Sequence, residues 1–164
     1  KKAIAQYKAE DREAELVSPR HYAVTLAHKH LPEMAQICGL TRKPVFMPMI
    51  CDFPQGMVVA VPLYLDMLGG SQSLDSLRTL YREFYAGARF VTVRPDDAPA
   101  CGFIGSNNLA GTNELQIFVC GNDEQVMLAA RLDNLGKGAS GAAVQNMNIM
   151  LGFPEETGLD VQSR

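Results

Sequence analysis

The chain reads as an α+β domain: one mixed, mainly antiparallel sheet with helices on one face. Three observations predict this class. Five or six short segments have the β-branched and aromatic content of strands. A few stretches place apolar residues at helical spacing. The two kinds do not alternate regularly, as a doubly wound parallel sheet would require. The chain shows no internal repeat and no low-complexity tract.

The opening run, Lys1 to Glu10, has helical composition but neither an initiator Met nor a capping residue ahead of it, so the chain is expected to be part of something longer. A polar stretch follows to Pro19. Residues 22–26 (YAVTL) are expected as a short strand. Pro32 suits a first helical turn and Gly39 a helix stop, which predicts a short helix over 32–38. Residues 45–50 are apolar but broken by Pro48. Residues 57–65 (MVVAVPLYL) are nearly all apolar, as in a strand covered on both faces, with Pro62 marking its edge or end. Between these two segments, Cys51 to Gly56 form a polar loop with a turn.

Ser73 is expected to cap a helix running to about Tyr85, stopped by Gly87, with Leu74, Leu77, Leu80, Tyr81 and Phe84 packed in the core. Residues 90–94 read as a strand. Residues 115–120 and 125–132 flank Gly121-Asn122-Asp123-Glu124 as a hairpin. A last helix over 139–151 should bury Ala143, Met147, Met150 and Leu151 and leave Gln145, Asn146 and Asn148 in water.

A length of 164 residues and 47% hydrophobic composition predict one domain, residues 1–164, with a real core. A net charge of −3, dispersed Lys and Arg and no Trp give no footprint for nucleic acid. No apolar run approaches the ~20 residues of a membrane span. Cys38, Cys51, Cys101 and Cys120 have no framework spacing and sit in apolar or helical contexts, so they are expected as reduced, buried structural thiols of a cytoplasmic protein.

Two segments carry chemistry. All three histidines, His21, His28 and His30, fall within residues 21–30, and the run continues Leu31-Pro32-Glu33. Histidine exchanges protons near neutral pH, so His28 and His30 beside Lys29 and Glu33 form a candidate acid/base site. The bland alternative is a solvated pair at a helix start. Metal capture by His28 and His30 is a third reading, but zinc asks for three or four ligands and no Cys-x-x-Cys supplies them. No metal is therefore expected.

The second segment, Gly136-Lys137-Gly138-Ala139-Ser140-Gly141, spells G-x-G-x-x-G. It fails as a dinucleotide fingerprint because too few residues follow to build a second strand with a ribose-binding acid. It fails as a Walker loop because Gly138 stands where Ser or Thr is needed and Arg131 where the first Gly belongs. What remains is a helix start of small residues whose backbone N–H groups are expected to be open to an anion or an amide.

Three stretches, His28 to Met34, Gly56 with the strand after it, and above all the run from Leu132 to Asn148 (LDNLGKGASGAAVQNMN), resemble N-acetyl-γ-glutamyl-phosphate reductase in its shorter variant form. The resemblance covers essentially the whole chain and looks like only the second half of such an enzyme. It implies a fold like the C-terminal domain of semialdehyde and glyceraldehyde-phosphate dehydrogenases. It also implies NADP as cofactor, an acyl-phosphate substrate, a homo-oligomer and a Rossmann half that this chain lacks. In that family a cysteine thiolate displaces phosphate, and hydride reduces the thioester to the semialdehyde. By resemblance His28 is the acid/base, which first lowers the nucleophile's pKa and then protonates the hemithioacetal oxygen. His30 and Glu33 bind substrate and orient His28. Lys29, where the longer variant usually has Arg, joins them. Gly138, Ala139, Ser140 and Asn146 close over the nicotinamide end of the cofactor. The family's nucleophile motif surrounds none of the four cysteines, so the chain alone is expected to be inactive. A non-catalytic dimerisation module with the same fold is the alternative.

Overall fold

The computed structural model describes residues 2–95 and 102–160. The chain expected as one domain divides into two compact units, Lys1–Pro54 and Gln55–Arg164.

The first unit contains helix α1 (Lys2–Lys8), a 3-10 turn at Ala14–Val17, strand β1 (Arg20–His21), helix α2 (Leu31–Ile37) and strand β2 (Met49–Ile50). β1 and β2 pair antiparallel, Arg20 opposite Ile50 and His21 opposite Met49. Arg20 ties β1 to α1, donating to the Tyr7 hydroxyl at 2.9 Å with its guanidinium 5.5 Å from the ring centre. An ion pair of 2.8 Å between Arg12 and Asp52 links the unit's two ends. Half-exposed pairs of this kind contribute little, ~1 kcal/mol or less. Leu16 and Leu31 are the buried apolar anchors.

The strand expected over 22–26 does not form. The ladder ends at His21 with one further bond, from the Tyr22 N–H to the carbonyl of Pro48 at 3.1 Å, and Ala23 and Leu26 take left-handed φ values of +51° and +55°, which no strand permits. The Leu26 N–H closes a turn onto the Ala23 carbonyl at 2.9 Å. Local β propensity had no partner strand to satisfy it. The short helix appears as expected, with Pro32 in its first turn and Gly39 at φ +62° beyond its end.

The second unit is built on a four-stranded sheet. Its elements are β3 (Met57–Tyr64), a 3-10 turn at Leu65–Met67, α3 (Leu74–Phe84), β4 (Val91–Val93), β5 (Leu115–Gly121), β6 (Gln125–Leu132), a π-turn at Gly136–Ser140 and α4 (Gly141–Leu151). The order is β3-β6-β5-β4, antiparallel except for β4 and β5, which run parallel with Val91 opposite Leu115. The fold is thus the α+β class, mixed and mainly antiparallel, that the sequence predicts. The Asn122 side chain shapes the β5–β6 turn by accepting the N–H groups of Glu124 and Gln125, each at 2.9 Å.

Ser73 and Ser76 form a reciprocal capping box at the start of α3, a device contributing about 1 kcal/mol. α3 packs Leu77 into a core with Leu65, Ile117, Val119 and Val126, and Leu74 and Tyr81 lean on it. Because strand side chains alternate, Phe118, Cys120 and Ala129 face the opposite side, where Val58 and Ile104 meet them.

Three packing expectations are corrected. β3 is not covered on both faces: Met57, Val59 and Val61 on one face and Tyr64 on the other are exposed, and it is an edge strand paired with β6. Pro62 accordingly lies where a missing N–H costs no second ladder. In α3, Leu80 and Phe84 are exposed rather than in the core. In α4, Ala143, Met147, Met150 and Leu151 are exposed and Asn148 is buried, while Asn146 lies in water as expected.

Candidate functional site

The histidine cluster lies on the loop between β1 and α2 and on the first turn of that helix. Two left-handed residues bend the chain sharply between Tyr22 and His28. The His28 carbonyl accepts the Leu31 N–H at 3.1 Å and the His30 carbonyl accepts that of Met34 at 2.9 Å, so both histidines are built into the helix entry. The half-buried His28 ring makes edge contacts with Tyr22, His30 and Phe46, at centroid distances of 5.8, 4.7 and 5.1 Å. The His30 backbone N–H donates to His28 Nδ1 at 3.3 Å. A ring nitrogen that accepts carries no proton, so the neutral His28 ring is protonated on Nε2. His30, Lys29 and Glu33 are exposed, Glu33 in the first turn of α2. The structure brings His28 and His30 together; among the described residues, the ring contacts of His28 come from aromatic side chains and not from Glu33. Tyr22 and Phe46 were missed as the walls of this site. Their only sequence signal was an aromatic residue on either side of the cluster.

The glycine-rich segment is a π-turn continuing into α4. The expectation of open N–H groups is corrected: Gly138 donates to the Asp133 carbonyl at 2.8 Å and Ser140 to that of Leu135 at 3.1 Å. The turn's entry is closed by the Asp133 carboxylate, whose Oδ1 accepts the N–H groups of Leu135 at 2.7 Å and Gly136 at 3.0 Å. Two glycines of the G-x-G-x-x-G run are internal packing requirements. A Cβ on Gly136 would lie 2.7 Å from the Thr112 carbonyl, and one on Gly141 would strike the Asn113 amide. Gly138, Ala139 and Ser140 are exposed.

Asn148, expected in solvent, donates to the carbonyls of Glu155 and Thr157 at 3.1 and 2.8 Å. It fastens the segment after α4 back onto the helix. Gln145 lies on the same side, donating to Glu155 at 2.8 Å and accepting from Lys137. The Lys137 ammonium sits 5.4 Å from the Phe90 ring centre; burial lowers its pKa, against the opposing pull of Glu155. Asn146 is exposed.

Of the cysteines, Cys120 is buried, Cys51 is half-buried and Cys38 is exposed, the last correcting the expectation of four buried thiols. Cys38 caps the C-terminal end of α2, where its side chain has no core to enter. Cys101 lies outside the described residues. Among the described residues no three His, Cys, Asp or Glu side chains gather as metal ligands.

Residues 2–134 match the family "Semialdehyde dehydrogenase, dimerisation domain". The chain belongs to this family. This dimerisation domain is similar to "N-acetyl-gamma-glutamyl-phosphate reductase 2" of Nostoc sp. (strain PCC 7120), with 47% identity over 84% of the chain and 45% of that protein. It is also similar to the N-acetyl-gamma-glutamyl-phosphate reductases of Trichormus variabilis, 46% identical over the same shares, and Brucella ovis, 48% identical over 80% of the chain and 43% of that protein. The chain therefore spans a little under half the length of the curated relatives it matches. No helix among the described residues is long and apolar enough to cross a membrane.

Proposed function

We propose that this domain is the catalytic and dimerisation half of an NADP-dependent reductase of arginine biosynthesis. The enzyme converts N-acetyl-γ-glutamyl phosphate to N-acetylglutamate semialdehyde and phosphate. The observation that carries the reading is 47% identity over 84% of the chain to a reductase of that name, in a domain whose His28 ring is held by Tyr22, Phe46 and the His30 backbone.

In this reading His28 takes the proton of an attacking thiol and returns it to the hemithioacetal oxygen through Nε2. Uptake at Nε2 needs its lone pair, so the resting proton moves to Nδ1 and the His30 N–H bond is given up. At 3.3 Å that bond is long, and losing it costs about 1 kcal/mol or less. His30, Lys29 and Glu33, exposed at the entry to α2, bind the substrate, and His30 orients His28 through its backbone N–H. Bound NADPH supplies the hydride. The residues fit its nicotinamide end sterically: the exposed row Gly138, Ala139, Ser140 has no side chain longer than a hydroxymethyl, so a flat ring can approach the backbone, with Asn146 nearby in sequence on α4. The thiol belongs to a Rossmann half, without which the domain is inactive.

A second copy of the domain is the other partner, its dimer or tetramer burying apolar surface such as the exposed Met57, Val59 and Val61 of β3. The same strip supports the second reading, a non-catalytic dimerisation module. A cytoplasmic location completes the proposal.

The test is phosphate-dependent reduction of NADP by N-acetylglutamate semialdehyde, with the chain alone and then with a relative's Rossmann half added. Silence followed by restored activity is expected. Activity from the chain alone would place the nucleophile among its own cysteines, and silence in both would favour the non-catalytic module.

A further inference from the structure

Asp133 is 1% exposed, and its carboxylate is the meeting point of three separate chain segments. Oδ1 accepts from the N–H groups of Leu135 and Gly136. Oδ2 accepts from the Gly111 N–H at 2.5 Å and from Gln55 Nε2 at 2.8 Å. Its own carbonyl accepts the Gly138 N–H at 2.8 Å, and the neighbouring Asn134 side chain accepts the Gly56 N–H at 2.8 Å. Among the described residues all four donors to the carboxylate are neutral, three of them backbone N–H groups. This is the arrangement that phosphate loops offer to a bound anion. Here the anion is supplied by the protein.

We propose that Asp133 is the positioning residue of the cofactor-facing turn: its carboxylate acts as an internal anion that sets the π-turn Gly136–Ser140 before any ligand arrives. The proposal rests on the reading of Gly138–Ser140 as the segment that meets NADP. A π-turn is a rare and easily lost geometry. This one is fixed from within by Asp133, and it packs so closely on the Thr112 carbonyl that a Gly136 Cβ would stand 2.7 Å from it. With the turn already ordered, cofactor binding energy is not consumed in ordering it. An Asn at this position keeps one acceptor oxygen and turns an NH2 group toward two N–H donors, either Leu135 with Gly136 or Gly111 with Gln55. The turn then loses its fixed place while the rest of the sheet keeps its pairing.

The experiment compares wild type, Asp133→Asn and the double variant Gln55→Glu/Asp133→Asn in the complete reductase, the domain joined to its Rossmann half. NADPH affinity is read by fluorescence titration, and KM and kcat by steady-state assay. Asp133→Asn is expected to weaken NADPH binding and raise its KM about tenfold or more, with KM for the acyl phosphate changed about twofold at most. The double variant, which exchanges donor and acceptor between the two side chains, should recover part of the loss. Gln55→Met removes a single donor, so it serves if Asp133→Asn does not fold, and should weaken NADPH binding about two- to threefold. A fall in kcat with unchanged NADPH affinity would mark Asp133 as merely structural and overturn the proposal. Failure of the wild type itself to bind NADPH would instead overturn the cofactor reading beneath it.

Discussion

His28 and His30 are joined through the backbone of one and the ring of the other: the His30 N–H donates to His28 Nδ1 at 3.3 Å. The His30 side chain takes no part in this bond, so the two residues can be separated by substitution. In the complete reductase, His28→Asn is expected to lower kcat by about 10²-fold or more, the usual loss when an acid/base is removed. His30→Asn keeps the backbone donor and should act mainly on substrate KM. Equal, mild losses in both variants, measured in the semialdehyde assay, would refute the assignment.

Asn148 supports α4 from the inside. Its side-chain NH2 is shared between the carbonyls of Glu155 and Thr157 and the residue is 3% exposed. Asn148→Ala leaves both acceptors unpaired, which should cost about 1–3 kcal/mol. Urea unfolding of the domain reads this directly. A midpoint within error of wild type would mean that water replaces the amide freely.

Much of the fold was legible because its signals are local. Ser73 announces α3, the Asn122 turn announces the β5–β6 hairpin, and the spacing of His28 and His30 announces two rings that meet at the start of α2. What escaped depends on partners. Residues 22–26 have strand composition, but β2 meets only Arg20 and His21. Helical periodicity in α4 shows two faces without saying which is covered; the chain returning through Glu155 and Thr157 covers the amide side and leaves the methionines out. The run from Leu132 onward identified the family, yet nothing in it shows that Asp133 folds inward to accept four N–H groups drawn from as far away as Gln55 and Gly111. Tyr22 likewise reads as a strand residue until the turns at Ala23 and Leu26 are seen, and Phe46 reads only as part of an apolar run.

The glycines of the π-turn make separable demands. A methyl on Gly136 meets a backbone carbonyl at 2.7 Å, whereas one on Gly138 meets its nearest atoms, the Asp133 carbonyl and a Leu132 methyl, at 3.2 Å. Gly136→Ala should therefore cost about 1–3 kcal/mol of stability. Gly138→Ala should leave the thermal midpoint nearly unchanged while weakening NADPH binding in the complete reductase. Equal effects of the two on stability would show that the turn yields at Gly136.

Leu26 carries backbone strain in the loop ahead of His28. A left-handed φ of +55° costs a branched side chain about 1–2 kcal/mol, and the side chain is exposed. Leu26→Gly relieves the strain but loosens the unfolded chain, giving a net gain of up to about 1 kcal/mol. Leu26→Val, stiffer at Cβ, should lower stability. The opposite order in urea melts would place the strain elsewhere.

Protonation of Asp133 is one route by which acid acts on the fold. Burial alone would raise its pKa, but the N–H groups of Gly136, Gly111 and Leu135 and the Gln55 amide outweigh burial and hold it below the usual carboxylate value. A carboxylate depressed on folding contributes stability that is fully present above its unfolded pKa, about 4, and lost as pH falls through its folded value. The stability gap between wild type and Asp133→Asn should therefore be constant above about pH 5 and narrow below pH 4, as the wild-type carboxyl takes up its proton. Urea midpoints of both proteins across that range test the sign. A gap that widens on acidification would mean that the donors do not favour the ionised form, and that burial governs the group.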